Sequence, residues 1–240
     1  RSRDDSHIYD IFGGVFFSTI KCPSCDYVTG IFESFLDISL PLNRNSKWHY
    51  KEDVLSLDMC LEEFFKAEVI DDFKCEKCHK KGRVYRQTKI YKAPKILVQS
   101  FKRFDFHKYS GYNEKIDNKV KLVEKGAIIS RDHYYHPELG NIALYDCRFS
   151  FVMLAASYEL NGIVDHYGTA VSGHYTGISY QPQIFVISFN YSLCYDLKEK
   201  SWAHYDDAKV TESVHKDTIM DYVTLGSRQP YIVFYRQIKS

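Results

Sequence analysis

The chain has 240 residues, 45% of them hydrophobic and 26% charged, and its 32 basic and 31 acidic side chains leave a net charge of +1. That length suits one globular domain, or one domain with a small appendage. The even charge balance excludes capture of nucleic acid or of an anionic membrane by electrostatics alone. The 16% aromatic content, with 20 Tyr and 16 Phe, supplies core and sheet packing and contact surface for protein partners. The N-terminus lacks the apolar stretch of a signal peptide, and the apolar runs Phe149–Ala156 and Ile184–Phe189 are too short to cross a bilayer. A soluble intracellular protein, cytoplasmic or nuclear, is expected.

Residues 1–10 are polar and charged and read as a flexible lead-in, with folded chain from Ile11 to Arg236. Alternation of Val28, Gly30, Phe32, Ser34, Leu36, Ile38 and Leu40 predicts a strand that Pro41 ends, followed by a loop over Asn43–Lys51. Ser56–Val69 reads as a helix: Leu57, Leu61, Phe64 and Phe65 share a face, Ser56 is a cap and Asp58 suits the first turn. Arg83–Tyr91 and Lys95–Phe104 are β-rich and divided by Ala93-Pro94, and Asp105–Asn118 reads as a polar loop. Short strands are expected near Val120–Val123, Phe149–Leu154, Tyr158–Val164, His174–Ser179, Trp202–Tyr205 and Tyr231–Arg236, with a short helix or turn over Val210–Met220. Strands dominate the second half, so the class is α+β and rich in antiparallel pairs.

Cys22-Pro23-Ser24-Cys25 and Cys75-Glu76-Lys77-Cys78 are matched C-x-x-C pairs. A two-residue spacer aims both sulfurs of a pair at one point, and two such knuckles complete a tetrahedral Cys₄ site for one structural zinc ion. The long gap between the pairs means that the ligands would pin two separate hairpins in a zinc ribbon. The alternatives are reduced surface thiols or a redox motif. A catalytic ion is disfavoured, because four thiolates leave no open coordination position. His79, next to Cys78, reads as a surface residue, and Cys60, among apolar helix neighbours, as a buried one.

The run Tyr167–Gly177 sets His174 between Gly173 and Gly177, and Trp202–Asp207 follows with Asp206 and Asp207. Small neighbours let other backbone approach an imidazole closely. A general base also needs a carboxylate or amide on its second nitrogen to fix the tautomer. Asp206 is the natural orienting group, with Asp207 in support. A lone histidine near two aspartates is more often an ordinary surface cluster.

The wider pattern resembles the ubiquitin-specific protease family from about Ile11 to Arg236. Gly13–Ser18 followed by Cys22-x-x-Cys25 resembles that family's first zinc knuckle, and Phe32–Pro41 the strand after it. Cys60–Phe65 is similar to its finger-domain helix, Ala93–Phe104 to its palm strand, and Tyr158–Gly168 to the strand leading to its histidine. The resemblance implies a papain-like cysteine protease fold, with zinc-ribbon fingers over about 14–92 and an antiparallel palm over about 93–236. It implies ubiquitin and ubiquitinated proteins as partners, with the ubiquitin tail threaded to the catalytic centre. His174 would be the general base and Asp206 its orienting acid, with Asp207 supporting, while His166 would be structural.

The sequence departs from the family in three places. The family's cysteine box, a Gly-Asn-Thr-Cys-Tyr-like segment opening a helix, is not found, and neither Cys147 nor Cys194 has its context. Such a chain reads as part of a catalytic domain without the helical thumb, carrying base and acid but no nucleophile, and inactive alone. Gln181–Leu193 reads as an unusual apolar insertion, and Ala127–Ala156 fits the family pattern poorly. The alternative function is an inactive ubiquitin-binding module or scaffold. A zinc-ribbon nucleic-acid binder is disfavoured by the near-zero charge.

Overall fold

A computed structural model describes residues 6–42, 54–106, 113–127, 156–179, 195–196, 201–214, 216–226 and 228–238. The loop expected over Asn43–Lys51, the strand expected over Phe149–Leu154, the Gln181–Leu193 stretch, Cys147 and Cys194 lie outside the described residues, as does nearly all of Ala127–Ala156.

The chain opens with helix α1 (His7–Phe12), where the sequence predicts a lead-in up to residue 10; the Ser6 side chain accepts the Tyr9 amide and caps it. Strands β1 (Gly14–Lys21) and β2 (Val28–Phe35) form a hairpin around the first cysteine knuckle. β3 (Ile38–Leu40) then leaves for another sheet, so the single strand expected over Val28–Leu40 is two. The break falls at Leu36-Asp37, where the Ser100 hydroxyl donates to Asp37 Oδ2 at 3.3 Å. β4 (Val54–Ser56) leads into α2 (Leu57–Phe65), capped by Ser56 and burying Leu57, Cys60, Leu61 and Phe65. β5 (Glu68–Lys74) follows at once, so the helix ends earlier than the expected Val69. β6 (Lys81–Lys92) returns after the second knuckle. These strands make a four-stranded antiparallel sheet in the order β2-β1-β6-β5, with both cysteine pairs at one end.

β7 (Ile96–Phe101) starts the second half. β8 (Phe104–Phe106) and β9 (Asn113–Lys115) pair with each other, so strand continues past the expected end at Phe104 into the segment expected as a polar loop from Asp105. β10 (Lys119–Lys121) runs parallel to β4, and β11 (Lys125–Ala127) lies on β12 (Ser157–Gly168). β13 (Gly173–Ser179), β14 (Tyr195–Asp196), β15 (Ser201–Asp206) and β16 (Lys209–Val214) precede the short helix α3 (Lys216–Met220). A π-helical turn, Asp221–Leu225, and β17 (Pro230–Gln237) complete the described chain. The larger sheet has nine strands, in the order β14-β15-β13-β12-β17-β7-β3 with β11 and β16 attached at β12 and β15. Among its described strands only the β3/β7 pair is parallel. The fold is therefore α+β and antiparallel-rich, as the sequence predicts.

One core spans this sheet and α2: Ile38, Leu40, Leu97, Phe101, Tyr158, Ile163, Val233 and Tyr235 pack with Leu57, Cys60 and Leu61. Each large apolar side chain buried in this way contributes about 1.5–3 kcal/mol. Cys60 is buried as expected, and burial pushes its thiol up to about 12. Phe16 of β1 stacks on Phe35 at 4.0 Å and meets Phe64 of α2 at 5.9 Å, which joins the small sheet to that core. No helix among the described residues is long and apolar enough to cross a membrane.

Candidate active site and cysteine centre

The two knuckles are built alike. Asp26 donates its amide to Cys22 O at 2.9 Å, and His79 donates to Cys75 O at the same distance. Both donors have positive φ, 55° and 56°, which closes each turn tightly. The antiparallel β1/β6 pairing sets the knuckles side by side. Cys22 Sγ lies 3.9 Å from Cys78 Sγ, and Cys25 Sγ 3.7 Å from Cys75 Sγ. All four sulfurs fall within 4.8 Å of one another. Zinc–sulfur bonds of about 2.3 Å at tetrahedral angles put sulfurs about 3.8 Å apart, so the thiols fit one zinc ion. Backbone amides of Cys78 and Lys77 lower the Cys75 thiol to about 7. At Cys25 the Tyr27 amide lowers the pKa, but burial and the neighbouring thiols outweigh it and raise it to about 11. Cys75 thus loses its proton more readily than Cys25, and a bound cation favours the thiolate form of its ligands.

The histidine lies in the large sheet. β12 and β13 form a hairpin in which Tyr167 pairs with His174 and Gly168 with Gly173. At its tip the Thr169 amide donates to Ser172 O at 2.8 Å, and the Thr169 hydroxyl accepts the amides of Val171 and Ser172. Gly168, at φ 116°, occupies a region that side chains rarely adopt. A Cβ on Gly173 would lie 2.0 Å from His166 Nε2 and 2.5 Å from Tyr167 O. The ring of His166 fills that space, 4.6 Å from the Tyr175 ring and 5.2 Å from the Phe104 ring. Burial, then the charges of Lys115 and Arg103, lower its pKa. This agrees with a structural rather than catalytic His166.

β15 brings up the acidic pair. Gly177 pairs with Tyr205 and Ile178 with His204, so Asp206 arrives beside His174. His174 Nε2 lies 2.7 Å from Asp206 Oδ1, with both side chains almost half exposed. Asp207, at φ 55°, starts the two-residue turn into β16 and brings its carboxylate within 4.8 Å of the other two groups. Asp tolerates that backbone conformation better than most residues. Burial lowers the pKa of nearby His204, although Asp206 acts to raise it. The structure thus brings together all three residues singled out at this site and all four cysteines. Sequence reasoning missed the steric lock of His166 on Gly173 and the matched positive-φ residues of the knuckles. The glycine flanking His174 and the even spacing of the cysteine pairs were the available signals.

Comparison with known proteins gives the class. The ubiquitin carboxyl-terminal hydrolase family model matches residues 1–235, and the chain belongs to that family. It is 30% identical over 234 residues to ubiquitin carboxyl-terminal hydrolase 3 of Mus musculus, covering 94% of this chain and 38% of the relative. It is 28% identical over 235 residues to ubiquitin carboxyl-terminal hydrolase 23 of Arabidopsis thaliana, covering 96% and 21%. The chain therefore spans well under half the length of these relatives. Among solved structures, it matches a SAGA DUB module of Ubp8, Sgf11, Sus1 and Sgf73 bound to monoubiquitin, at 25% identity and TM-score 0.65, covering 97% of this chain and 42% of the other. The same module bound to ubiquitin aldehyde shares the fold at 24% identity and TM-score 0.67, covering 98% and 43%.

Proposed function

We propose that this chain supplies the general base and the orienting acid of a cysteine-type deubiquitinase, which hydrolyses the bond after the C-terminal glycine of ubiquitin. The 2.7 Å contact of His174 Nε2 with Asp206 Oδ1 carries this reading. With Nε2 held by the carboxylate, proton exchange falls to Nδ1. A thiolate attacks the glycine carbonyl, with Nδ1 having taken the thiol proton. His174 then returns a proton to the leaving amine and activates the water that frees the acyl-enzyme. Asp206 stabilises the imidazolium, and Asp207 supports the acidic end. The small sheet acts as fingers and the large one as a palm, with ubiquitin and ubiquitinated proteins as partners inside the cell. Cys22, Cys25, Cys75 and Cys78 would hold zinc. The ion would tie the two hairpins together and take no part in the reaction.

The thiol comes from outside this chain. Four of the five described cysteines are gathered in the knuckles, and Cys60 is buried with its thiol pushed up to about 12. Cys147 and Cys194 do not follow an Asn-Thr pair. The 240-residue chain alone is therefore expected not to hydrolyse ubiquitin derivatives. The test is reaction with a ubiquitin C-terminal electrophile, of this chain and of the protein in its full natural length. Labelling of the full-length protein alone supports the reading. An adduct on Cys147 or Cys194 overturns the external thiol. Tight ubiquitin binding with no adduct in either form identifies a non-catalytic ubiquitin-binding scaffold instead.

A further inference from the structure

Asp165 is a buried acidic residue. It lies in β12 and is only 6% exposed, where a carboxylate is costly unless it is bonded or neutralised. Its Oδ2 accepts the Tyr222 hydroxyl, and its Oδ1 has no hydrogen-bond partner. Tyr222, itself buried, is delivered by the π-helical turn, a rare geometry found often at functional sites. Arg103, fully buried, stands on another side. Its Nε donates to Pro230 O at 2.7 Å, and its Nη1 donates to Ile116 O and Asn118 O at 2.9 and 2.8 Å. Its Nη2 has no partner. Pro230 is the cross-strand neighbour of Asp165, so the guanidinium is anchored to the strand that pairs with Asp165.

The register places this knot behind the base. Asp165 pairs with Thr176 and Tyr167 with His174. Opposed residues of an antiparallel ladder share a face, as do residues two apart. Asp165, Tyr167, Thr176 and His174 therefore project from one face of the sheet. Ile178 pairs with His204, which places Asp206 on that face too.

We propose that Asp165 is a positioning residue for His174: held by the Tyr222 hydroxyl and set in the field of Arg228 and Arg103, it fixes the β12–β13 hairpin where the imidazole meets Asp206. The inference rests on the hydrolase role proposed for His174. Burial pushes the Asp165 pKa up, and Tyr222, Arg228, Arg103 and Tyr167 act against that push; Lys115 is a further charge in its field. Loss of the Tyr222 hydroxyl removes a group that favours the carboxylate, so the pKa rises further. Below that pKa the residue is a neutral acid, and above it a buried charge that has lost its tyrosine hydrogen bond. In such a variant the locked hairpin is favoured at low pH and lost as pH rises.

The test uses the full-length protein, with turnover of a fluorogenic ubiquitin amide measured across pH and the ring nitrogens of His174 followed by NMR. Tyr222→Phe should lower kcat about tenfold with KM unchanged, since a displaced base costs rate rather than binding. The ratio of variant to wild-type kcat should fall as pH rises, through one new ionisation. Adding Asp165→Asn should abolish that ionisation and return kcat to within about threefold of wild type, a non-additive result that independent sites would not give. The His174 nitrogen shifts should move in the single variant and return in the double. A Tyr222→Phe protein within about twofold of wild type, or a loss that Asp165→Asn leaves in place at every pH, overturns the inference. Should Tyr222→Phe not fold, recovery of fold and turnover by Asp165→Asn upholds the inference, and failure to recover overturns it. A wild-type protein without turnover overturns the hydrolase role instead. The nitrogen shifts then decide, and identical shifts in wild type and Tyr222→Phe overturn the positioning role.

Discussion

The two sheets are held together by different physics. The nine-stranded sheet buries a continuous apolar layer with α2, including Leu40, Leu97, Val233 and Tyr235 at or near zero exposure. The far end of the four-stranded sheet has only Cys22, Cys75 and Val84 fully inside, flanked by Ile20, Tyr27, Ile70 and Phe73. Its side-chain ties include surface ion pairs, Arg83 with Asp71 and Lys81 with Asp72 among them. Such pairs contribute about 0–1 kcal/mol each. One region stands on hydrophobic burial, and the other on a small core beside four sulfurs placed close enough to share one cation. The His174–Asp206 pair lies in the first and the four cysteines in the second, so the proposed chemistry and the proposed metal site occupy different sheets.

The largest effect should come from the cross-link. Structural zinc is worth about 10–16 kcal/mol in small thiolate sites, so Cys75→Ser or a chelator should open the knuckle end outright. Limited proteolysis should then cut near Lys74–Lys81 while β12 and β13 stay protected. Protease resistance equal to that of the untreated protein would mean that the small sheet has an adequate core of its own. Next comes the base. In the full-length protein, His174→Ala or Asp206→Asn should lower kcat about 10³–10⁴-fold, as loss of a triad member or of its orienting group does elsewhere. Both side chains are half exposed, so the melting temperature should hardly move. A large melting shift would show that the pair is structural. Smaller again is Gly173→Ala, where the added methyl meets His166 and the Tyr167 carbonyl. Overpacking of this kind costs about 1–3 kcal/mol, readable as a fall in melting temperature of the large sheet with the zinc content unchanged. The smallest is Asp207→Ala. It should change kcat only a few-fold and destabilise by about 1 kcal/mol through its left-handed backbone, as denaturant melts would show. A loss as deep as that of Asp206→Asn would make Asp207 the orienting acid.

Features with a short-range signature were legible in the sequence. Two-residue spacers between cysteines, the glycines around His174 and the Asp206-Asp207 pair each fit within a few residues, and the structure assembles both groups. The α+β class followed from strand periodicity in the second half. What escaped depends on partners far along the chain. Glu68–Lys74 follows directly on a good helical pattern, yet pairing with β6 draws it into a strand. Asp105-Phe106 and Asn113–Lys115 look like loop because their residues are mostly polar, and only their mutual register makes them β. Leu36-Asp37 continues an alternating pattern and still breaks it, because β3 finds a parallel partner in β7. Asp165 read as an ordinary strand residue; its burial against Tyr222 and Arg103 is set by segments more than fifty residues away on either side.

The lock between His166 and Gly173 ties two positions of the hairpin to a common fate. A side chain larger than hydrogen at 173 has no room until the imidazole at 166 has given way. Loss of that imidazole in turn opens a gap under the backbone that carries the base. Neither position can drift alone, and a tolerated change at one requires a matching change at the other. Within any set of functional descendants of this sequence, these two sites should therefore be exchanged as a pair.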